Sequence, residues 1–154
     1  MSITERDLLL RMIQQLGDSI ARIIGLRTGG HLADALLLLQ QTTDGVLGPM
    51  AGMIDQVDSA SAAMLLASPQ KIRAYASLVD ERAKIRAAQG DDARARADER
   101  RALDLLLLSL KDSGDVPDDV REAIGALARK VDPARLDARA RAMLESIGGT
   151  SGTA

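Results

Sequence analysis

The chain has 154 residues, enough for one domain that buries roughly two-thirds of the surface its unfolded form exposes. Hydrophobic residues make up 46% and aromatics 1%, the latter a single Tyr75; this excludes disorder, and a store of Leu, Ala and Met without Phe or Trp argues for helices over sheet. Its 20 basic and 22 acidic residues interleave to a net charge of −2, with no block of like charge that would mark a nucleic-acid or anionic-lipid binder.

Ser2 and Glu5 have capping-box spacing, so the first helix is expected to start near Ile3. Over residues 7–26, Leu9, Met12, Ile13, Leu16, Ile20, Ile23 and Ile24 fall within an arc of about 120°, and Asp7, Arg11, Gln14, Asp18 and Arg22 lie opposite. Asp7 with Arg11 and Asp18 with Arg22 have the i,i+4 spacing of ion pairs, acid first. Gly17 weakens the helix and is expected to admit a neighbouring helix at close range. Thr28-Gly29-Gly30 ends the run. A second helix over about 31–47 puts Leu32, Leu36, Leu39, Val46 and Leu47 on one face and stops at Gly48-Pro49. The short link makes the two an antiparallel hairpin.

Residues 49–56 read as a helical turn or two, with Met50, Met53, Ile54 and Val57 apolar. Asp58-Ser59 can cap a short helix through Leu66. Ser68-Pro69, a cap followed by proline at the first helical position, starts a helix to about Gln89 that buries Ile72, Tyr75, Ala76, Val79 and Ala83. Gly90-Asp91-Asp92 turns the chain into a helix reaching about Lys111. Asp115 to Pro117 starts the next, with Val120, Ile124, Leu127, Ala128 and Val131 inward. Asp132-Pro133 repeats the cap-then-proline signal for a last helix carrying Leu136, Ala140, Met143, Leu144 and Ile147. The expectation is one all-α domain, 1–147, of about six to seven helices. It comprises hairpins at about 3–47 and 69–111, a short-helix insert at 49–67 and a C-terminal pair at 117–147. Residues 148–154, GGTSGTA, read as a flexible tail.

Superposing Gly30 on Gly90 aligns the two hairpins at an offset of 60, bringing Arg22 onto Arg82, Ala33 onto Ala93, Ala35 onto Ala95 and Asp44 onto Asp104. Counted from Gly90, Ala83, Ala95 and Ala102 take the small-residue positions of the tetratricopeptide pattern, which the helix–Gly-Asp–helix unit resembles. Arg82, Arg86 and Glu99 stand where that pattern has large apolar residues. The order of Arg11-Met12-Ile13, Gln15-Leu16, Leu65-Leu66 and a helical pair around a glycine also resembles a family of small bacterial proteins of unknown function, over roughly residues 5–110. That resemblance implies a helical fold and no activity. Sixteen arginines to four lysines with abundant alanine agree with a GC-rich bacterial origin.

The chemistry-bearing residues are sparse. His31 is the only histidine and cysteine is absent, so neither a metal site of His and Cys ligands nor a thiolate is expected, and the histidine reads as a solvated turn residue. No Gly-x-Ser-x-Gly elbow occurs, and Gly29-Gly30 lacks the following Lys and Ser or Thr of a phosphate loop. The charged stretch 80–104, seven acids against seven bases, reads as a salt-bridged, solvent-facing hairpin end. An enzyme, a cofactor and a nucleic-acid partner are not expected. Glu5, Arg6 and Asp7 precede any apolar stretch, and no uncharged run approaches the ~20 residues of a membrane helix, so the expectation is a soluble cytoplasmic protein.

Several leucines break the amphipathic pattern: Leu37 and Leu38 on the second helix, Leu105, Leu107 and Leu108 on the fifth. An exposed leucine forfeits ~1.5–3 kcal/mol of burial, so either the short and C-terminal helices cover them or a second copy does. Together with the polar strip Asp7, Arg11 and Gln15, they form the candidate interface. The function this points to is a non-catalytic interaction or scaffold protein acting through a helical surface, self-associating as a homodimer. The alternative is a sensor holding a small apolar ligand between the hairpins. A sealed apolar cavity would favour the sensor, a filled core with exposed leucines the scaffold.

Overall fold

A computed structural model of the chain describes residues 3–111 and 113–150, with side chains over 4–111 and 113–148. The fold is all-α. In chain order come α1 (Ile3–Thr28), α2 (Leu32–Leu47), a 3-10 turn (Gly48–Met50), α3 (Ala51–Gln56), α4 (Ser59–Leu66), α5 (Pro69–Ala88), α6 (Asp92–Leu108), α7 (Asp118–Ala128), a second 3-10 turn (Pro133–Arg135) and α8 (Ala138–Thr150). Helix starts follow local chemistry. Asp58 accepts from the Ser61 amide, Ser68 from that of Lys71, and Asp91 from that of Arg94, each satisfying a first-turn donor that has no partner inside its helix.

Two helical pairs dominate, α1 with α2 and α5 with α6. Their turns are the same object 60 residues apart. Gly30 and Gly90 take φ of 84° and 82°, a left-handed conformation that glycine adopts without a Cβ clash. The residue after each donates back five positions, His31 to the Leu26 carbonyl and Asp91 to that of Arg86, closing the preceding helix in a Schellman-type cap. Ala35 and Ala95, matched by the repeat, are both buried.

The core has two parts. The smaller holds Leu16, Ile23, Ala35 and Leu39 against Ala74, Leu78 and Ile85. The larger gathers Ile72, Tyr75, Ala76 and Val79 with Ala102, Leu103, Leu105, Leu106 and Leu107, capped by Val120, Ile124, Leu127, Leu136 and Ala140. Helix α5 belongs to both. The single amphipathic face expected for it, Ile72 to Ala83, is half of the truth: Ala74, Leu78, Glu81 and Ile85 are buried too, because α1 and α2 pack on the side away from α6.

Four local expectations change. Gly17 is exposed with nothing within 4 Å of a Cβ built there, so no helix approaches it. Neither Asp7–Arg11 nor Asp18–Arg22 closes to an ion pair within 4 Å among the described residues; on wet helix faces such pairs gain little. Asp132 caps the second 3-10 turn through the Ala134 amide, whereas α8 starts at Ala138, with Asp137 accepting from the Ala140 amide. Helix α8 runs to Thr150, past the Gly148 at which a tail was expected to begin. Ser2 and residues 151–154 lie outside the described residues.

Candidate functional site

The candidate interface residues divide in three. Leu105 and Leu107, at 0% and 1% exposure, are inside the larger core and are withdrawn from any interface: α7, α8 and the preceding turn supply the cover that one hairpin lacks. Leu108 is half-buried, and Leu38 packs on the smaller core. Leu37 remains exposed at 58%. Asp7, Arg11 and Gln15 are exposed on α1 and line neither the groove that holds Leu108 nor the one that holds Leu8.

Stretch 80–104 is salt-bridged as expected, but its centre is not solvent-facing. Glu81 and Asp98 are each only 4% exposed. Arg82 holds Asp98 in a two-pronged contact, Nη2 to Oδ1 at 3.1 Å and Nε to Oδ2 at 3.2 Å, and reaches Asp55 with Nη1 at 3.2 Å. Arg86 Nη1 donates to the same Asp98 at 2.7 Å. Asp55 also accepts from the Tyr75 hydroxyl. Arg101 lies with its guanidinium 5.4 Å from the Tyr75 ring centre, donates to the Tyr75 oxygen at 3.2 Å, and ends on the carbonyls of Val57 and Ile54 at 2.7 and 2.6 Å. Those carbonyls close the C-terminal end of α3, where no intrahelical donor is left. The network therefore straps the 51–66 insert to the α5–α6 pair.

The electrostatics agree with a strap. Burial works against the charged Arg82 guanidinium, yet the hydrogen bond and charge of Asp98 win and raise its pKa. Burial, then the hydrogen bond to Asp55, pushes the Tyr75 hydroxyl up to about 12. A second buried acid, Glu81, is met by Arg27 of α1 at 3.3 Å and by Lys84 at 3.3 Å, tying the two hairpins. All of these groups are engaged with one another, which is the condition of a structural network rather than of a nucleophile or proton donor awaiting substrate. Asp104 differs. Its Oδ1 is buried with no hydrogen-bond partner, and burial, then the charge of Asp137, raises its pKa. Among the described residues no group of three or more His, Cys, Asp or Glu is placed to hold a metal ion.

The apolar surface that stays open is elsewhere. At ~1.5 Å per residue, the 26 residues of α1 span ~39 Å and the 16 of α2 only ~24 Å. The excess of α1 is its N-terminal part: no residue from Thr4 to Gln15 is buried, and the first that is, Leu16, sits in the smaller core. Leu8, Leu9 and Met12 of this overhang face Leu66, Ala67 and Lys71 across a solvent-open groove of about 480 Å³. Leu8 is 60% exposed; Leu10, two positions on and so on the other side of the helix, is 56% exposed, and Met64 of α4, at 81%, lines a different groove with Leu108. Sequence periodicity missed this patch because Leu9 and Met12 belong to the same stripe as Leu16 and Ile23; only the unequal lengths of the first two helices signal that one end of the stripe goes uncovered. The acids of the strap were missed as well, although arginines at the apolar positions 82 and 86 of the repeat already required buried carboxylates nearby. No helix among the described residues is long and apolar enough to cross a membrane.

Compared with protein-family models, with curated proteins and with solved structures, the chain finds no match in any of the three.

Proposed function

We propose that this chain is a non-catalytic interaction protein that self-associates, and that its working surface is the α1 overhang with α4, not the leucines of α6. What supports the reading is one observation: a solvent-open apolar groove in which Leu8, 60% exposed, stands with Leu9 and Met12 opposite Leu66 and Ala67. Patches of this kind on soluble chains mark partner sites. The groove suits a helix better than a small apolar ligand, because the space between the hairpins, where a sensor would hold one, is occupied by Leu16, Ile23, Leu39 and Leu78. Tetratricopeptide-like packing of the two hairpins belongs to the same proposal, supported by the shared turn at Gly30 and Gly90.

A dimer on this surface should bury more than about 1,000 Å² in total. Light scattering at tens of micromolar should then give about twice the 16.3 kDa chain mass, and Leu8→Glu should return it to one chain mass with helicity intact. A wild-type chain that stays monomeric removes the self-association, and a dimer lost only on Leu37→Glu moves the surface to α2.

A further inference from the structure

The interleaved charges of the sequence are sorted in space at one place. Between α6 and the connection from α7 to α8 runs a groove of about 450 Å³, with Arg96 and Arg100 on the α6 wall and Lys130 and Arg135 on the other. Two carboxylates share it, Glu99 and Asp132, and Asp132 is turned to its own backbone, accepting from the Ala134 amide. Four cations against two acids leave the groove at +2 in a chain whose net charge is −2. Among the described residues none of the four has a carboxylate within 4 Å, whereas Arg27, Arg82, Arg86 and Arg94 all do. Arg96 and Arg100 are moreover i,i+4 on one helix, a like-charge spacing that costs the helix stability, which Glu99 in the same groove and Asp104 beyond Arg100 offset only in part. Arg100 is half-buried, so its charge is less well screened than a surface arginine's.

We propose that this groove is an anion site for a small phosphate-bearing molecule. Guanidinium forks match phosphate oxygens two at a time, and a concave wall of one sign concentrates an anion of matching charge. A charge of −2 or more neutralises the groove, which favours a phosphate ester or phosphoanhydride over a single carboxylate. The bounded volume, with no aromatic side chain on its walls, favours a compact anion over a polynucleotide, which needs stacking surfaces and a longer basic track. The groove shares no residue with the one beside the α1 overhang, so its occupancy is independent of self-association.

The probe is inorganic pyrophosphate, titrated calorimetrically into the whole chain at neutral pH and 0.15 M salt. The expected result is saturable one-to-one binding, weakened at least tenfold by Arg96→Gln with Arg135→Gln and unchanged by Arg22→Gln on α1. Lys130→Gln, a separate exposed change, should weaken it severalfold and guards against a folding defect in the double variant. Absence of saturable binding overturns the proposal. So does binding that the double variant retains, or an oligonucleotide that depends on these arginines while pyrophosphate does not bind.

Discussion

At the scale of single residues, Arg82 decides more than any other side chain. It is the shared counter-ion of Asp55 and Asp98, and its side chain is 12% exposed. Removing one partner of a buried ion network strands the others without water, so Arg82→Ala should cost ~3–5 kcal/mol of unfolding free energy in a urea titration. Replacing Arg82 and Asp98 together by leucine should cost less than the single change, since fewer charges are then left desolvated. If the single variant is as stable as the parent, the strap is ornamental. Tyr75 offers a second measurement. Its folded pKa of about 12 stands above its unfolded value of 10.0, so the folded state keeps a proton that the unfolded state releases between those values. The stabilisation is complete below pH 10 and disappears as the pH rises toward 12. As the only tyrosine in a chain without tryptophan, its ionisation can be followed directly by the ultraviolet absorbance of the phenolate. A midpoint near 10 in the folded protein would show that the hydroxyl is not held as described; Tyr75→Phe should flatten the alkaline loss of stability.

At the scale of elements, glycines separate two kinds of backbone demand. Gly90 has φ of 82° and open space around its missing Cβ, so Gly90→Ala adds backbone strain and nothing else, ~1–2 kcal/mol. Gly17 lies mid-helix with open space as well and no unusual φ, so Gly17→Ala should stabilise α1 by up to ~1 kcal/mol. Thermal melts of the two variants should move in opposite directions; a destabilised Gly17→Ala would mean that something does pack there. The same contrast explains what could be read from the chain alone. Caps at Ser68, Asp58 and Asp91 announce themselves by residue type, as do the turns at Gly30 and Gly90, because local chemistry makes them. The second buried face of α5 does not, since Ala74, Leu78 and Ile85 alternate with the inward residues of the first face and blur the period on which the reading depends. Leu37 and Leu105 look alike as pattern-breakers on a wheel, yet one is 58% exposed and the other fully buried. The difference is made by α7 and α8, which lie far along the chain.

At the scale of the whole molecule, the two cores are unequal. The larger joins α4 to α8 through α5 and α6, whereas the α1–α2 pair is held by a smaller cluster on one side of α5 and by the Glu81–Arg27 contact. Opening free energies follow local burial, so amide exchange should be fastest in the α1 overhang, intermediate over the rest of α1 and α2, and slowest in α5 and α6. Uniform protection across all four helices would show instead that the two cores open as one unit. The candidate surfaces follow this gradient. The apolar face sits on the least buried stretch of the fold, and the basic groove on the outer side of its best buried hairpin. Neither was legible as a site in the sequence, because the first depends on a mismatch of lengths and the second on residues 96 to 135 meeting across a turn.

The position of α5 between its neighbours also governs how the chain can change over evolutionary time. A helix enclosed on two sides tolerates few substitutions around most of its circumference, while one end of α1 and the outward edge of α6 can vary freely without loss of the fold. Lineages carrying this architecture should therefore diverge first at that open end and outward edge, and last along the central rod.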